Sequence, residues 1–495
     1  MLPPETIAQA GAAPAAQEVS EFDILLNKEF RARDPEKQTA VQAAVRTLAQ
    51  QALGATQLIS TDAVRTITAM IAELDRKLSE QVNLIMHHQD FQALEGTWRG
   101  LHYLVNNTET DEMLKIRVLN ISKNEVKKTL KKFEGTAWDK SPIFEKLYDD
   151  EYSTPGGAPY ACVIGDYYFD QSPEDVKMLG NIAQVAAAAH APFIAGASPN
   201  VMGFDSWQEL SGPRDLTKIF QPAEYASWRS LRDSDDSRYI GLAMPRFLAR
   251  LPYGAKTVPV EEFAFEEDTE GADHKKYLWS NSAFAMGVNI TRAFKLYGWC
   301  ARIRGTESGG VVEGLPVHTF PTDDGGVDMK CPTEIAITMR REAELAKNGF
   351  MPLSHYKNTD YAAFIGAQSL QKPAVYEDDD ATANANLSAR LPYLFATCRF
   401  AHYLNKMVYD KIGSFKERED MEIWLNKWIS QYCCDSKSAE DVKARYPLAE
   451  AKVEVLEVKG NPGYYTSKFW LRPHYQLEGL KVSLRLVCRL PSGKT

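Results

Sequence analysis

The chain ends RLVCRLPSGKT, and Gly493, Lys494 and Thr495 match the tail of a phosphate-binding loop, G-x-x-x-x-G-K-T. Such a loop needs a glycine five positions before its second glycine, a strand before it, and a helix after it whose free amides face the phosphates. Position 488 is Cys and no helix-forming stretch follows, so Lys494 and Thr495 read as a solvated chain end. A second candidate is RGTESGGVVEGLPVHTF, between Cys300 and His318, where glycines could cradle a phosphate or a thiol could meet an imidazole. Its spacing fits neither G-x-G-x-x-G nor a phosphate loop. Gly309 and Gly310 read as a turn with positive φ, Cys300 as a buried thiol in a helical FKLYGWCARIRG segment, and His318 as a strand residue beside Val317. The run Glu377, Asp378, Asp379 and Asp380 could gather oxygen ligands around a hard cation. It stands immediately before ATANANLSARLPYLFATCRFAHYLNKMVYDKI, a long helical pattern, and acids at a helix N-terminus are favoured without any metal. His87 and His88 are adjacent and fall on different helix faces. With no H-E-x-x-H, G-x-S-x-G or kinase signature, the residues predict no catalytic, cofactor-binding or metal site.

The elements around these residues point elsewhere. A length of 495 residues suggests two to four domains with well-developed cores. The balance of 57 basic against 66 acidic residues, net charge −9, argues against nucleic acid as the main partner. MLPPETIAQAGAAPAAQEVSEF lacks the basic start and apolar run of a secretory signal, and no stretch approaches the ~18 apolar residues of a membrane helix. The cysteines at 162, 300, 331, 398, 433, 434 and 488 have no C-x-x-C spacing, so neither a disulfide framework nor a zinc site is expected, and a reducing cytoplasm fits.

Residues 1–20 read as a flexible lead. Val41, Val45 and Leu48, then Val64, Ile67, Ile71, Leu74, Leu78, Val82 and Ile85, recur at helical steps and predict two amphipathic helices. The second stripe fits a helical hairpin within the domain or a helix from a partner chain. MLKIRVLNI alternates like a strand, and Ser122 with Glu125 forms a capping box at the next helix. PYACVIGDYYF, then SPEDVKMLGNIAQVAAAAH with Ser172 as cap and Pro173 at the first helical position, then APFIAGAS, make a βαβ crossover. The expected class is therefore α/β with mixed α+β character and a partly parallel sheet, which permits a ligand crevice without requiring one.

Near the C-terminus, KVEVLEVKG, GYYTSKFWLRPHYQLEG and LKVSLRLVCRL are three strand-like pieces. They form too small a sheet to stand alone and must extend another sheet or recruit strands from neighbouring chains. Val453, Val455, Val458, Tyr465, Phe469, Leu471, Val482, Leu484, Leu486 and Cys488 are the candidate intersubunit strand residues. Just before them, KERED and MEIWLNKWISQY predict a helix that packs Met421, Trp424, Leu425, Trp428 and Ile429 inward, with Lys416, Glu419, Glu422 and Lys427 on its charged face.

Taken together, TWRGLHYLV, MPRFLARLPYG, FKLYGWCARIRG, GGVVEGLPVHTF, PTEIAITMRREAEL, GFMPLSHYKNTDYAAFIGAQSLQKPAVY, DDDATANANLSARLPYLF, MEIWLNKWI and LRPHYQLEGLKVSLRLVCRLP resemble the large subunit of the type VI secretion contractile sheath, the TssC, VipB or ImpC family. The resemblance covers most of the chain after about residue 90 and is weakest over residues 1–60. It implies a structural protein, not an enzyme, with no cofactor. It implies a multi-domain, phage-tail-sheath-like protomer that pairs with a small sheath subunit of the TssB or VipA family, polymerises with other copies of itself around an Hcp tube, and contracts to propel the tube. A baseplate anchored at the membrane, a ClpV-type AAA+ unfoldase acting mainly through the small subunit, and a Gram-negative cytoplasm follow from the same resemblance, with no nucleic acid and no membrane insertion. On this basis residues 21–89 are expected to contact the small subunit, with Val64, Ile67, Ile71, Leu74, Leu78 and Ile85 as its contacts. Residues 90–290 form a middle α/β domain, residues 291–449 an inner domain with Lys416, Glu419, Glu422 and Lys427 toward the tube, and residues 450–495 strands that join protomers. The competing expectation is a cytoplasmic α/β enzyme with a ligand in the βαβ crevice.

Overall fold

The computed structural model describes Ala43 and residues 63–212, 215–269, 273–322, 325–411, 418–458 and 465–477. The described residues fall into two compact units, those up to Phe91 together with those from Pro252 to Lys276, and those from Gln92 to Leu251 together with those from Tyr277 onward. In the first, helix α1 (Ala63–Met86) carries Asn83, whose side chain donates to the Glu266 carbonyl at 3.1 Å and accepts from the Asp268 amide at 3.0 Å. His87 lies 3.7 Å from the buried carboxylate of Glu267, which also accepts from the Tyr253 amide.

In the second unit, Gly96 and Gly100 form the inward face of helix α2 (Gln89–Asn106). A Cβ on Gly100 would lie 2.4 Å from the Phe284 ring, so only glycine permits this approach. The stretch Met113–Ile121, expected as a strand, takes no regular secondary structure and joins no sheet among the described residues; alternation alone does not supply a pairing partner. Helix α3 (Lys123–Lys132) follows and has the expected capping box: Ser122 Oγ accepts from the Glu125 amide, and the Glu125 carboxylate from the Ser122 amide.

The predicted crossover is present: β1 (Val163–Phe169), α4 (Pro173–Ala189) and β2 (Phe193–Ala197), with β1 and β2 parallel. The sheet runs β1-β2-β3-β9-β10-β6, where β3 is Ile240–Met244, β6 Val311–Val312, β9 Phe350–His355 and β10 Ala362–Phe364; the short strands β4 (Phe247–Leu248) and β5 (Trp279–Ser280) pair antiparallel apart from it, as do β7 (Thr319–Pro321) and β8 (Val327–Met329). The first four strands are parallel and the last two join antiparallel. Alternate residues feed opposite cores, as the two-residue period of a strand requires. Phe193, Ala195, Ile240, Leu242 and Phe350 pack with α4 and Trp228, while Ile194, Ala243, Met351 and Leu353 pack with Met286, Ile290 and Phe395. Those last three stand on α5 (Ser282–Tyr297) and α7 (Leu391–Tyr409).

Two local expectations are corrected. Cys300 is not helical: α5 stops at Tyr297 because Gly298 takes φ +79° and turns the chain, and Cys300 lies buried beyond it. The long helical pattern after the acidic run is two helices, α6 (Asp379–Ser388) and α7, since the Leu391 amide leaves the helical ladder for the Ala367 carbonyl. Asp378 caps α6, its carboxylate accepting from the Asp380 amide at 3.1 Å.

Candidate assembly surfaces

The alternating C-terminal pieces form an antiparallel hairpin, β11 (Leu448–Glu457) and β12 (Tyr465–Pro473). Helix α8 (Arg418–Ser430) lies beneath it, and Leu425, Ile429, Val453 and Val455 share a core with Trp299 and Phe400, whose rings stack at 4.3 Å. Met421, Trp424 and Trp428 are half-buried, as expected of the inner face.

Polar residues of α8 close one edge of the hairpin. Asn426 Nδ2 donates to the Val453 carbonyl at 2.8 Å, Asn426 Oδ1 accepts from the Val453 amide at 2.9 Å, and the Glu422 carboxylate accepts from the Val455 amide at 3.0 Å. At Val453 and at the Val455 amide the outer edge of β11 is therefore engaged within the chain. Because the main-chain groups of Val453 and Val455 point away from β12, Val453↔Phe469 and Val455↔Ser467 are non-hydrogen-bonded pairs. The main-chain groups of Ser467, Phe469 and Leu471 then point outward from β12. Among the described residues none of these groups finds a main-chain partner. Tyr465, Phe469 and Trp470 are exposed beside this edge.

The chain leaving β12 is pinned down. The His474 amide donates to the Pro447 carbonyl at 3.1 Å. Gln476 accepts from Arg304 Nε at 2.7 Å, donates to the Ala301 carbonyl at 2.9 Å, and its amide donates to Tyr393 Oη at 3.0 Å. The hairpin is thus fixed to its core at both ends.

Several candidate residues take positions different from those expected. Val453 and Val455 point inward, and the main-chain groups of Val453 and the Val455 amide are taken by Asn426 and Glu422, so neither side chain faces a neighbour; Tyr465 and Phe469 are exposed, and Leu471 is partly buried. Val458 lies just past the end of β11, while Val482, Leu484, Leu486 and Cys488 lie outside the described residues. Glu422, expected on the open charged face of α8, is half-buried because its carboxylate is occupied by β11. Glu419 and Lys427 are exposed, and Lys416 lies outside the described residues. On α1, Ile71 and Ile85 are exposed while Leu74 and Leu78 are half-buried; Val64 and Ile67 lie where side chains are not described.

One surface was missed. Leu94, Trp98 and Val105 form an exposed stripe on α2, opposite Gly96, Gly100 and Leu104, and Trp98 is 64% exposed. The signal was the three- and four-residue spacing of Leu94, Trp98, Leu101 and Val105, hidden because α2 is apolar on both faces.

The crevice at the carboxyl ends of the parallel strands, where an α/β enzyme would bind its ligand, is occupied by paired side chains. Arg246 meets buried Glu334 at 2.6 Å over the Tyr168 ring, and Lys123 meets Asp175 at 2.6 Å. Burial opposes the charge on Arg246, but Glu334 outweighs it and raises the guanidinium pKa further. A small apolar cleft elsewhere, lined by Phe294, Trp299, Cys300, Phe395 and Cys398, holds about 20 Å³, room for one water.

The EvpB/VC_A0108 tail sheath N-terminal domain matches residues 68–371, and the gpW/gp25-like domain of the same tail sheath matches residues 380–490. The chain is 71% identical over 480 residues, 97% of its own length and 96% of the relative's, to the type VI secretion system sheath protein TssC1 of Pseudomonas aeruginosa strain PAO1. Two solved structures show a distant likeness: the anti-feeding prophage baseplate (TM-score 0.38, 10% identity, 76% of this chain and 83% of that one) and the contracted helical sheath of the same particle (TM-score 0.28, 12% identity, 62% and 66%). On the family match and the close relative, the chain belongs to the VipB tail sheath family, the large subunits of type VI secretion sheaths.

Proposed function

We propose that this chain is a structural subunit of a type VI secretion contractile sheath, and that the outer edge of β12 receives a strand from a neighbouring protomer. The observation that carries the strand assignment is the asymmetry of the hairpin: Asn426 and Glu422 occupy the middle of the β11 edge at Val453 and Val455, whereas Ser467, Phe469 and Leu471 leave β12 as a template. The family membership supports the sheath role.

The small sheath subunit docks through helical faces, for which Ile71 and Ile85 of α1 and, separately, Leu94, Trp98 and Val105 of α2 are the candidates. The polymer surrounds an Hcp tube, with Glu419 and Lys427 of α8 toward it, and stands in the cytoplasm on a baseplate. A ClpV-type unfoldase recycles it through the small subunit. In this reading the chain performs no catalysis. Free energy for contraction comes from packing between protomer bodies, while interchain main-chain hydrogen bonds persist as tethers. Gln476 and His474 hold each tether to its own body, so strand and body move together.

Co-expression with the small subunit and negative-stain microscopy test the proposal. Hollow cylinders are expected from the natural chain and none from Ser467→Pro or Phe469→Pro, which remove outward donors but leave the hairpin's own ladder. Unaltered cylinders from both variants would exclude the β12 edge.

A further inference from the structure

The cleft lined by Phe294, Trp299, Phe395 and Cys398 also has a polar wall, formed by Arg399 and His402. Phe395, Cys398, Arg399 and His402 recur at steps of three and four residues on α7, so one face of that helix borders the cleft. Gly298, which ends α5, lines it as well. Phe395 and Cys398 belong to the core packed against the sheet and Trp299 to the core under the hairpin, so the cleft lies where the two meet.

Each residue of the polar wall has one buried atom that finds no hydrogen-bond partner among the described residues: Arg399 Nε and His402 Nδ1. The other polar atoms of these side chains show which role each orphan must play. Arg399 Nη2 donates to Tyr403 Oη at 3.3 Å, with the guanidinium 4.8 Å from the centre of the Tyr403 ring. Its Nε can only donate. His402 Nε2 lies 2.9 Å from the Ala189 carbonyl oxygen, which can only accept, so Nε2 carries the ring proton. Burial holds the imidazole neutral near pH 7, and Nδ1 is left as an acceptor. With 5% of its surface exposed, His402 cannot turn to bulk solvent for a donor.

A ligand here must accept from Arg399 and donate to His402 at once. An anion would face the Nδ1 lone pair and a cation the guanidinium, while an apolar group would leave both atoms unsatisfied. A hydroxyl meets both demands. The volume of about 20 Å³ admits one water and nothing larger. We propose that the cleft is an internal water site, in which a single water accepts from Arg399 Nε and donates to His402 Nδ1. The water would let α7 carry an arginine and a histidine into an otherwise apolar seam between the two cores.

A density map of the full-length chain, at a resolution where other buried waters stand out, tests the site directly. One spherical peak is expected, about 2.7–3.2 Å from both Arg399 Nε and His402 Nδ1. A double-mutant cycle tests it in solution, with urea unfolding at pH about 7 of the natural chain, Arg399→Met, His402→Leu and the pair. Either substitution alone should release the water, so the second should cost less than it does in the natural chain. The product of the two single effects on the unfolding constant should exceed the effect of the pair by more than about twofold. If a variant does not unfold cooperatively, the map decides alone. A cleft without a peak, a peak that reaches only one of the two atoms, an elongated peak, or single effects that multiply within about twofold would overturn the proposal.

Discussion

Asn426 binds both main-chain groups of Val453, donating to its carbonyl at 2.8 Å and accepting from its amide at 2.9 Å. One side-chain amide thus does what a neighbouring strand would do, and it decides which edge of the hairpin is closed. Replacing Asn426 by Leu leaves a carbonyl and an amide unsatisfied. The expected loss is about 1–3 kcal/mol, seen as a lower urea midpoint of the C-terminal hairpin, followed by the tryptophan fluorescence of Trp424 and Trp428.

The two faces of β12 give a register test. Lys468 is paired with Glu454 in the hydrogen-bonded set, so Lys468→Pro breaks the hairpin itself, whereas Ser467→Pro leaves the hairpin and removes only an outward donor. Circular dichroism should separate the two variants, and both should fail to form cylinders.

Trp98 provides a test of the helical surface. Trp98→Glu places a charge on an exposed apolar stripe, so the isolated fold should be unaffected. Co-purification with the small subunit should fall at least about tenfold, as expected when an aromatic anchor is lost from an interface.

His402 gives the fold a defined acid limit. It is buried on α7 with its Nε2 2.9 Å from the Ala189 carbonyl, and burial pushes its pKa down to about 4. In the unfolded chain the value is about 6.5. Between those values the unfolded state binds the additional proton, so stability falls as pH falls and is independent of this group above pH about 6.5. The interval corresponds to about 3 kcal/mol. His402→Gln should make the decline shallower by up to ~1.4 kcal/mol per pH unit, measured by urea unfolding from pH about 7 to 4.

Local signals carried far in the sequence. Ser122 with Glu125, Ser172 with Pro173, and Asp378 announced helix starts through side chains three residues or fewer from the groups they satisfy. The alternation of KVEVLEV announced β11. What stayed hidden depends on distance. Asn426 and Glu422 act on Val453 and Val455 across 27 and 33 residues, and on an amphipathic helix they look like any solvated polar face. Met113–Ile121 has the alternation of a strand but no partner strand among the described residues, and α2 conceals an outer stripe behind an inner glycine face. Pattern specifies which face of an element is apolar; what covers it is a tertiary matter.

The central claim is that the outward amides of β12 receive another chain, and residue-resolved deuterium exchange at Ser467, Phe469 and Leu471 measures it directly. In the unassembled complex with the small subunit these amides should exchange within seconds, and in assembled sheaths at least about a hundredfold more slowly. Equal, rapid exchange in both states would contradict the account.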